Sequence, residues 1–489
     1  MITSGARKKL AQSITGQVLS AADPAYATVV QLDNGRVRMA PPTVVMAASV
    51  KDVITTVNFA REEGTRLTVR GGGHGAAGYC LNGDGIVLDM RLLNSLDLDR
   101  ERGKLRVGMG ARWKQVYDFV ETSRTGLLPV GGGCAGVGVA GFLLGGGYSF
   151  ASRTYGLGAD NLESLVIVTA DGEKRVLDKA AAKDSIEQDL FWACCGGGGG
   201  NFGVAVEGTL QLRKPKDANF LVGQIQFPFY RIDEVLAYYN EWVSRKSFPR
   251  EMAIYGFLGM QPNPRNANQP VLSLRFTPVY TGAYAEGVKL LEPLLKMSPT
   301  NTSLYRMTMP EWEDFIGTGT VVNGRSAYMR STVLPALSLN KEVVRVFRYY
   351  MSRCPSPETF MVWTHTGGAI AEIPEDATAF PHRKTLFTPE IKSIWDINRP
   401  QEARANIEWA YDFFEALADK GKSSGAYLNY IDPLLTRWKD QYYGLNFARL
   451  KSIKDRVDSG HVFRFQQSVD SAYEPIGTKP LDLSVLQCS

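Results

Sequence analysis

The sequence is poor in the residues that bind metal ions. It contains four histidines in 489 residues, and none of its six cysteines belongs to a Cys-x-x-Cys pair. Because structural zinc sites need cysteine and histidine ligands clustered at short spacing, the sequence predicts no metal site. The even cysteine count is compatible with three disulfides, but a chain of this length can hold its core without them. We therefore expect reduced thiols.

The sequence also lacks long apolar runs and long runs of one charge. No stretch of about 18 apolar residues is present, as a membrane-spanning helix would need, and residues 1–22 lack the apolar run of a secretory signal. The 55 basic and 50 acidic residues are spread along the chain, without the basic stripe that is typical of nucleic-acid binders. We expect a cytoplasmic protein with no membrane or nucleic-acid partner, and secretion is left open.

Glycine, by contrast, is abundant. The 49 glycines are about a tenth of the chain, against an average of roughly 7%. Many lie in four clusters, Arg70–Gly75, Gly131–Cys134, Gly145–Gly147 and Gly196–Asn201. Glycine lets a backbone approach a ligand closely, and its N–H groups can surround an anion such as pyrophosphate. One cluster would be ordinary turn chemistry, whereas four between residues 70 and 201 predict a large phosphate-bearing cofactor.

Two common nucleotide-binding motifs do not account for these clusters. A P-loop requires Lys and Ser or Thr directly after its glycines, and no cluster has them. A dinucleotide fingerprint, Gly-x-Gly-x-x-Gly, is present at 136–141, with Asp160 about twenty residues further on. That fingerprint should follow a parallel strand, but the preceding segment 127–134 contains a proline and three glycines. We therefore interpret the match as accidental.

Hydrophobic periodicity divides the chain into two kinds of region. Up to residue 213, short apolar strands alternate with helical patterns, and the Asp171-Gly172 pair predicts a hairpin. From Lys214, glycine becomes rarer and aromatics more frequent, and the pattern is typical of a sheet covered by helices. Strands are predicted at 43–47, 66–69, 86–89, 104–107, 165–169, 174–177, 218–227, 252–258 and 271–276, and helices at 51–63, 113–122, 236–243 and 284–295.

Two potential nucleophiles directly follow triple-glycine runs. His74 comes after Gly71–Gly73, and Cys134 comes after Gly131–Gly133. A lone histidine is usually a surface or hydrogen-bonded residue, and a lone cysteine is usually a small buried hydrophobe. On glycine-rich loops, however, the same two side chains would be brought against a bound ring system.

Six segments carry a family resemblance. They are RGGGHGAAGY from Arg70, GGGCAGVGVAGFLLGGGYSFASRTYGLGADNL from Gly131, DLFWACCGGGGGNFGV from Asp189, TAFPHR from Thr378, YLNY from Tyr427 and YYGLNFARLKSIKDRVD from Tyr442. In this order, across nearly the whole chain, they resemble the berberine bridge enzyme-like FAD-linked oxidases of the vanillyl-alcohol oxidase superfamily.

The resemblance implies an α+β, two-domain, PCMH-type FAD-binding fold. The FAD domain would be built from both ends of the chain, residues 1–213 and 438–489. The substrate domain, residues 214–437, would be an antiparallel sheet backed by helices. The resemblance further implies an FAD-dependent oxidase with a small-molecule substrate and molecular oxygen as partners, and it leaves the oligomeric state open.

By the same resemblance, the FAD is attached covalently. His74 matches the histidine that bonds the flavin 8α-methyl carbon, and Cys134 matches the cysteine that bonds C6 in doubly linked members. Val137 matches a position where a small residue lets oxygen reach the reduced flavin. The other residues assigned to cofactor binding are Arg70, Gly71, Gly72, Gly73, Gly75, Gly133, Gly138, Gly141, Gly146, Asp160, Gly200, Asn201, Val204, Tyr443 and Asn446.

Two residues are candidates for acid–base catalysis. Tyr430 matches the catalytic base of several family members and would remove a hydroxyl proton while the adjacent C–H leaves as hydride to flavin N5. Since a phenol has a pKa of about 10, neighbouring groups would have to lower it; otherwise Tyr430 is a strand aromatic packed on the sheet. Glu390, on the strand predicted after the FPHR motif, is the second candidate, with a solvated carboxylate as its alternative.

The sequence departs from the family pattern at two positions. Phe142 stands where many members have a histidine that would donate a hydrogen bond to the flavin, and Ser149 replaces a glycine. The expected reaction is oxidation of an alcohol-type carbon of a small metabolite, with hydrogen peroxide as second product. Carbohydrate oxidation is the runner-up, and a flavin-binding carrier without turnover is the alternative of another class.

Overall fold

The computed structural model describes residues 2–263, 266–316 and 324–472. Within these ranges the chain forms three β-sheets and their covering helices, which confirms the predicted α+β class. The strands are β1 (Gln17–Leu19), β2 (Thr43–Met46), β3 (Leu67–Arg70), β4 (Ile86–Asp89), β5 (Leu96–Asp99), β6 (Lys104–Gly108), β7 (Leu162–Val168), β8 (Lys174–Asp178), β9 (Val204–Gln211), β10 (Phe220–Pro228), β11 (Met252–Asn263), β12 (Asn266–Tyr280), β13 (Asn301–Met307), β14 (Arg325–Ser331), β15 (Phe360–His365) and β16 (Phe387–Asp396). The helices are α1 (Ser4–Ser13), α2 (Tyr26–Val29), α3 (Val50–Glu62), α4 (Trp113–Thr122), α5 (Val139–Leu144), α6 (Ser152–Tyr155), α7 (Ile186–Cys194), α8 (Ile232–Val243), α9 (Tyr284–Leu295), α10 (Met309–Ile316), α11 (Lys341–Met351), α12 (Ala403–Gly421), α13 (Trp438–Tyr443) and α14 (Phe447–Val457).

A small mixed sheet lies near the N-terminus, with strand order β1-β2-β4-β3. β2 and β3 both pair with β4 in parallel, whereas β1 is antiparallel to β2. Helix α3 packs on this sheet through Val53, Val57 and Ala60, which are buried in one core with Leu88, as their helical spacing predicts. Since β3 ends at Arg70, the first glycine cluster forms the loop at its carboxyl end.

A five-stranded antiparallel sheet follows, with strand order β5-β6-β9-β7-β8. The predicted hairpin is confirmed, because β7 and β8 pair antiparallel and Gly172 has a φ of +82°, a conformation that favours glycine. Helix α4 has the predicted bounds and buries Trp113 and Val116 in the same core as Leu105 of β6.

The third sheet has seven antiparallel strands in the order β13-β10-β12-β11-β15-β16-β14. Helices cover one of its faces: the Trp363 ring of β15 lies 6.0 Å from the Tyr239 ring of α8 and 6.1 Å from the Phe347 ring of α11, measured between centroids. Because side chains alternate across a strand, Val362 and Thr364 point to the opposite face. That second face borders the cavity described below.

The C-terminal helices return to the N-terminal part of the chain. Lys454 of α14 is fully buried and donates to the backbone oxygen of Asn201 at 2.7 Å. Phe463 forms a parallel bridge with Leu67 of β3. These contacts agree with an FAD domain built from both chain ends, while the boundaries at 213/214 and 437/438 stay predictions. Residues 473–489 of the predicted C-terminal segment lie outside the described residues.

Two further features concern the described ranges only. No helix there combines the length and the apolar character needed to cross a bilayer. No group of three or more His, Cys, Asp or Glu side chains in the same ranges could hold a metal ion.

Candidate active site

A cavity separates the glycine-rich loops from the seven-stranded sheet. Its volume of about 480 Å³ is within the range of roughly 300–1,000 Å³ that is typical of cofactor and ligand sites. Three glycine-rich segments line one side: Gly71–Gly75, Gly132–Cys134 and Gly198–Asn201. Strands β10–β12 and β14–β16 line the other side. The cavity thus has a loop side and a sheet side.

Direct backbone packing joins the first two loops. A Cβ added at Gly72 would lie 2.4 Å from the backbone nitrogen of Gly138, and one added at Gly138 would lie 2.3 Å from that of Gly72. Real Cβ atoms do not approach other atoms so closely, so only glycine fits at both positions. This close approach brings the loop of His74 and the loop of Cys134 to one cavity, as the sequence predicted.

The imidazole of His74 lines the loop side of the cavity. Its Nε2 lies 3.7 Å from Oδ2 of Asp33, too far for a hydrogen bond. Burial, together with the positive charges of Lys392 and Arg112, lowers the pKa of His74 below its usual 6.5, although Asp33 opposes this effect. The ring is therefore neutral at pH 7, and one of its nitrogens carries the lone pair that a nucleophile needs.

Cys134 lies on a loop that is hydrogen-bonded to Tyr117. The Tyr117 hydroxyl donates to the backbone oxygen of Gly132 at 2.9 Å, and the N–H of Val137 donates to the backbone oxygen of Cys134 at 3.1 Å. Cys134 is not in a disulfide and lines the cavity. Its thiol is also close enough to Tyr430 to raise the pKa of that phenol.

Strand register places a polar group on the sheet side. Val362 of β15 is opposite Glu390 of β16, and Phe360 is opposite Lys392. Side chains two residues apart on a strand share a face, so Glu390 and Lys392 both project into the cavity, which they line. Their residues are 7% and 4% exposed. Glu390 is thus not the solvated carboxylate that was its alternative.

Tyr430 reaches the same cavity from a short 3-10 turn, Leu428–Tyr430, rather than from a strand. The third glycine cluster anchors this turn: the backbone N–H groups of Gly147 and Tyr148 both donate to the Tyr427 hydroxyl at 3.1 Å. Asn429 donates to the backbone oxygen of Phe142 at 3.1 Å. These contacts fix the position of the Tyr430 ring.

The side chains of Tyr430 and Glu390 both line this cavity, and each affects the pKa of the other. Burial raises the pKa of Tyr430 well above 10, and the negative charge of Glu390 adds to this effect. Burial also raises the pKa of Glu390 above 4.5, whereas the positive charge of Lys392 and the nearby Tyr430 hydroxyl oppose this effect. Burial therefore keeps the proton on the phenol, and Glu390 is the more readily ionised group of the two.

Most residues that the sequence assigned to the site line the cavity. They are His74, Cys134, Gly71, Gly72, Gly73, Gly75, Gly133, Val137, Gly138, Gly141, Gly200, Asn201, Tyr443, Glu390 and Tyr430. Phe142 also lines it and packs edge-on against Trp113, with ring centroids 5.1 Å apart.

Arg70, Gly146 and Val204 lie behind the cavity wall instead of on it. The buried Arg70 guanidinium donates to the backbone oxygens of Val29 and Gln31. These bonds hold the end of β3, from which the His74 loop begins, against the segment at residues 29–31. Gly146 has a φ of +100° in the cluster that anchors the Tyr430 turn. Val204 begins β9 and is fully buried. These three residues support the site without bordering it.

Asp160 and Asn446 also lie away from the cavity. The Asp160 carboxylate accepts from the Arg383 guanidinium at 2.7 and 2.8 Å, and both side chains are buried. Asn446 donates to the backbone oxygens of Glu375 at 2.9 Å and Thr378 at 3.2 Å. Asp160 thus holds the arginine of the FPHR motif, and Asn446 holds the loop before that motif; both are structural roles in this fold.

Two basic residues of the sheet side were missed from the sequence. Lys392 follows Glu390 by two positions, and Arg275 lies on β12, opposite Phe257 of β11. Both line the cavity. The signal that could have found Lys392 is the strand alternation itself, because a strand that points Glu390 into a site also points Lys392 there.

The loop side is suited to a flavin dinucleotide. Cβ atoms added at Gly75 and Gly141 would meet no atom within 4 Å, so these lining glycines leave open space for a ligand. The consecutive backbone N–H groups of Gly198–Gly200 are the kind of group that binds a pyrophosphate. His74 and Cys134 are nucleophiles on the same wall. The His74 ring is neutral, and its buried Nε2 has no hydrogen-bond partner among the residues that the structure describes.

Comparison with known proteins agrees with this arrangement. The FAD binding domain family model matches residues 41–178, and the "Berberine and berberine like" model matches residues 426–470. The chain is 29% identical to the FAD-linked oxidoreductase YvdP of Bacillus subtilis (strain 168), over 93% of this chain and 98% of that protein.

Solved structures share the fold. BBE-like protein #28 from Arabidopsis thaliana superposes with a TM-score of 0.81 at 23% identity, over 95% of this chain and 99% of that one. The xylooligosaccharide oxidase from Myceliophthora thermophila C1, solved with xylobiose, gives 0.81 at 22% identity, over 96% and 99%. The predicted two-domain PCMH-type fold is confirmed. With its two family models and its similarity along almost the whole length, the chain is an FAD-linked oxidoreductase that is similar to the berberine bridge enzyme-like proteins.

Proposed function

We propose that this chain is an oxidase that holds FAD through two covalent bonds and oxidises an alcohol-type carbon of a small metabolite. One observation supports this most directly: His74 and Cys134 on the loop side, and Tyr430 and Glu390 facing them, line a single cavity. Tethering groups and acid–base groups therefore act on the same enclosed space.

His74 and Cys134 are the proposed tethers. The neutral His74 ring offers a nitrogen lone pair, and Cys134 offers a sulfur that is not in a disulfide. The packing of Gly72 on Gly138 keeps the two loops in fixed relation, which suits two bonds to one rigid ring system. Val137, which lines the same wall, is small enough to leave room for oxygen beside the ring.

Oxidation of an alcohol to a carbonyl removes a hydride from carbon and a proton from oxygen. Bound FAD supplies the hydride acceptor, and molecular oxygen takes up the two electrons to give hydrogen peroxide. The Tyr430 oxygen accepts the substrate proton as Tyr430 passes its own proton to Glu390. This relay suits the pair, because a phenol with a raised pKa is a poor base alone but can transmit a proton to a carboxylate.

A visible spectrum before and after acid precipitation tests the cofactor and its linkage together. We expect a yellow protein whose colour stays with the precipitate, through His74 and Cys134. Colour released into the supernatant would contradict covalent attachment, and a colourless native protein would contradict FAD binding itself.

Substrate oxidation separates an enzyme from a carrier. An anaerobic panel of aromatic alcohols and oligosaccharides should contain a compound that bleaches the flavin, and re-aeration should restore the colour with release of one peroxide per flavin. The variant E390Q is expected to bleach far more slowly, whereas E372Q, at an exposed ion pair with Arg250, is the matched control. A flavin that no compound bleaches would favour a carrier without turnover.

A further inference from the structure

We propose that Lys392 binds an anionic group of the substrate, so that the enzyme acts on aromatic or similarly apolar acids. This inference rests on the proposed oxidase function and names its substrate class. Lys392 is a charged residue that is only 4% exposed and lines the cavity.

Within the described part of the chain, the Lys392 ammonium feels the charge of Glu390 but makes no direct contact with an anion. It forms neither a hydrogen bond nor an ion pair there, and its one close contact is the Phe360 ring, whose centroid lies 5.9 Å from Nζ. The charged or titratable groups that affect it electrostatically are Glu390 and His74. No ion pair joins the Glu390 carboxylate to Lys392 within the described residues, and the Tyr430 hydroxyl is the other polar group that affects the pKa of Glu390. A buried cation without a partner is costly, so a ligand anion would stabilise it.

The surface next to Lys392 is aromatic. The Phe360 ring stacks on Phe257, with centroids 5.1 Å apart and an interplanar angle of 27°. Val362 and Met329 extend the same apolar face of the sheet. A ligand body that covers this face gains from burial of apolar area. The face therefore suits a flat apolar body better than a chain of hydroxyl groups.

Arg275 is the other cation on this face, and it is already engaged. Its Nη1 donates to Oε1 of Gln261 at 2.7 Å, and its guanidinium lies 4.4 Å from the centroid of the Phe257 ring. Three strand spacings, about 14 Å, separate its strand from that of Lys392. Lys392, by contrast, is two residues from Glu390. An acid held at Lys392 therefore places the rest of the molecule beside the proton acceptor.

Matched ligands test the charge requirement. Benzoate and benzamide have nearly the same shape, and calorimetric titration of the flavin-loaded enzyme measures the dissociation constant of each. We expect benzoate to bind roughly 10- to 100-fold tighter, the range of one charge-assisted hydrogen bond. The K392M variant should lose this preference, K392R should retain most of it, and R275M is the matched control that should keep it.

A second acid–amide pair, in which each compound also carries an oxidisable alcohol carbon, tests turnover. With 4-(hydroxymethyl)benzoate and 4-(hydroxymethyl)benzamide, K392M should raise KM for the acid and leave KM for the amide nearly unchanged. Equal binding of benzoate and benzamide to the wild type would overturn the proposal. So would a preference that survives K392M, or one that only R275M removes.

The two proposals can fail separately. If neutral alcohols are oxidised as well as acids, the oxidase function stands and the role of Lys392 falls. If the flavin is never reduced while benzoate still binds through Lys392, the anion site stands and the oxidase function falls.

Discussion

Replacement of Glu390 by glutamine should slow substrate oxidation by a factor of roughly 10²–10⁴, the usual contribution of a positioned acid or base. Glutamine keeps the shape of the side chain and can still bond to Tyr430, but it cannot accept the proton that Tyr430 passes on. Burial has raised the pKa of Tyr430 well above 10, so the phenol alone does not replace the lost acceptor.

The structure also predicts how this change combines with a second one. Because Tyr430 and Glu390 affect each other's pKa and would act in one proton relay, the variant Y430F should lose a similar factor. The double variant should be little worse than either single variant, since groups that act as a unit are strongly non-additive.

Anaerobic stopped-flow spectroscopy measures the relevant rate, because the flavin absorbance reports its reduction directly. In the wild type this rate should rise with pH through the pKa of Glu390, which lies above 4.5 in the unliganded site, since only the carboxylate form accepts a proton. The rise should be absent in E390Q. An E390Q variant that reduces its flavin at the wild-type rate, or that keeps the same pH dependence, would refute the relay.

Three further predictions concern residues inside and outside the cavity. Burial lowers the pKa of His382 from 6.5 to about 4, so between these pH values the unfolded chain binds a proton and the folded chain does not. The contribution of His382 to the free energy of unfolding is then full above pH 6.5 and falls by about 3 kcal/mol toward pH 4. Urea unfolding at pH 7 and pH 4.5 measures this loss, and the H382Q variant should show a flatter pH dependence. The C134A variant should keep its flavin through acid precipitation because His74 still holds it, whereas H74A/C134A should release it; release from C134A would show that His74 forms no bond. The R383M variant leaves Asp160 buried without its partner and should lose roughly 3–5 kcal/mol of unfolding free energy, and R383M/D160N should regain part of that loss unless the pair is dispensable.

Periodicity predicted the elements of the fold more reliably than their ends. Helices α4 and α9 have the predicted bounds, because each presents one apolar stripe to a core. The strand predicted at 271–276 is instead β12, Asn266–Tyr280. It continues past Pro270 and Pro278, which the sequence pattern treats as strand breakers. Pairing with β10 and β11 on its two sides decides its length, and neighbours in space are not visible in a local pattern.

The glycine clusters predicted a cofactor site but not which residues border it. Arg70 directly precedes Gly71, and Asp160 lies two residues after Gly158. The Arg70 side chain nevertheless turns into the protein and donates to backbone oxygens, and Asp160 accepts from Arg383. A sequence motif includes both the residues of a loop that contact a ligand and the residues that hold the loop in place. Only the three-dimensional path of the loop separates the two groups.

The cytoplasmic location stays a prediction.

The loop side of the cavity is built from backbone contacts and the sheet side from side chains, so substitutions on the two sides should affect substrate binding differently. The loop side depends on backbone contacts such as Gly72 on Gly138, where any side chain would clash. The sheet side presents alternate side chains of separate strands, so Lys392 can be exchanged without moving Glu390. Changes on the sheet face should therefore alter which molecule binds while the tethers of the cofactor stay in place. Substitutions in the glycine loops should instead reduce flavin attachment for every substrate alike.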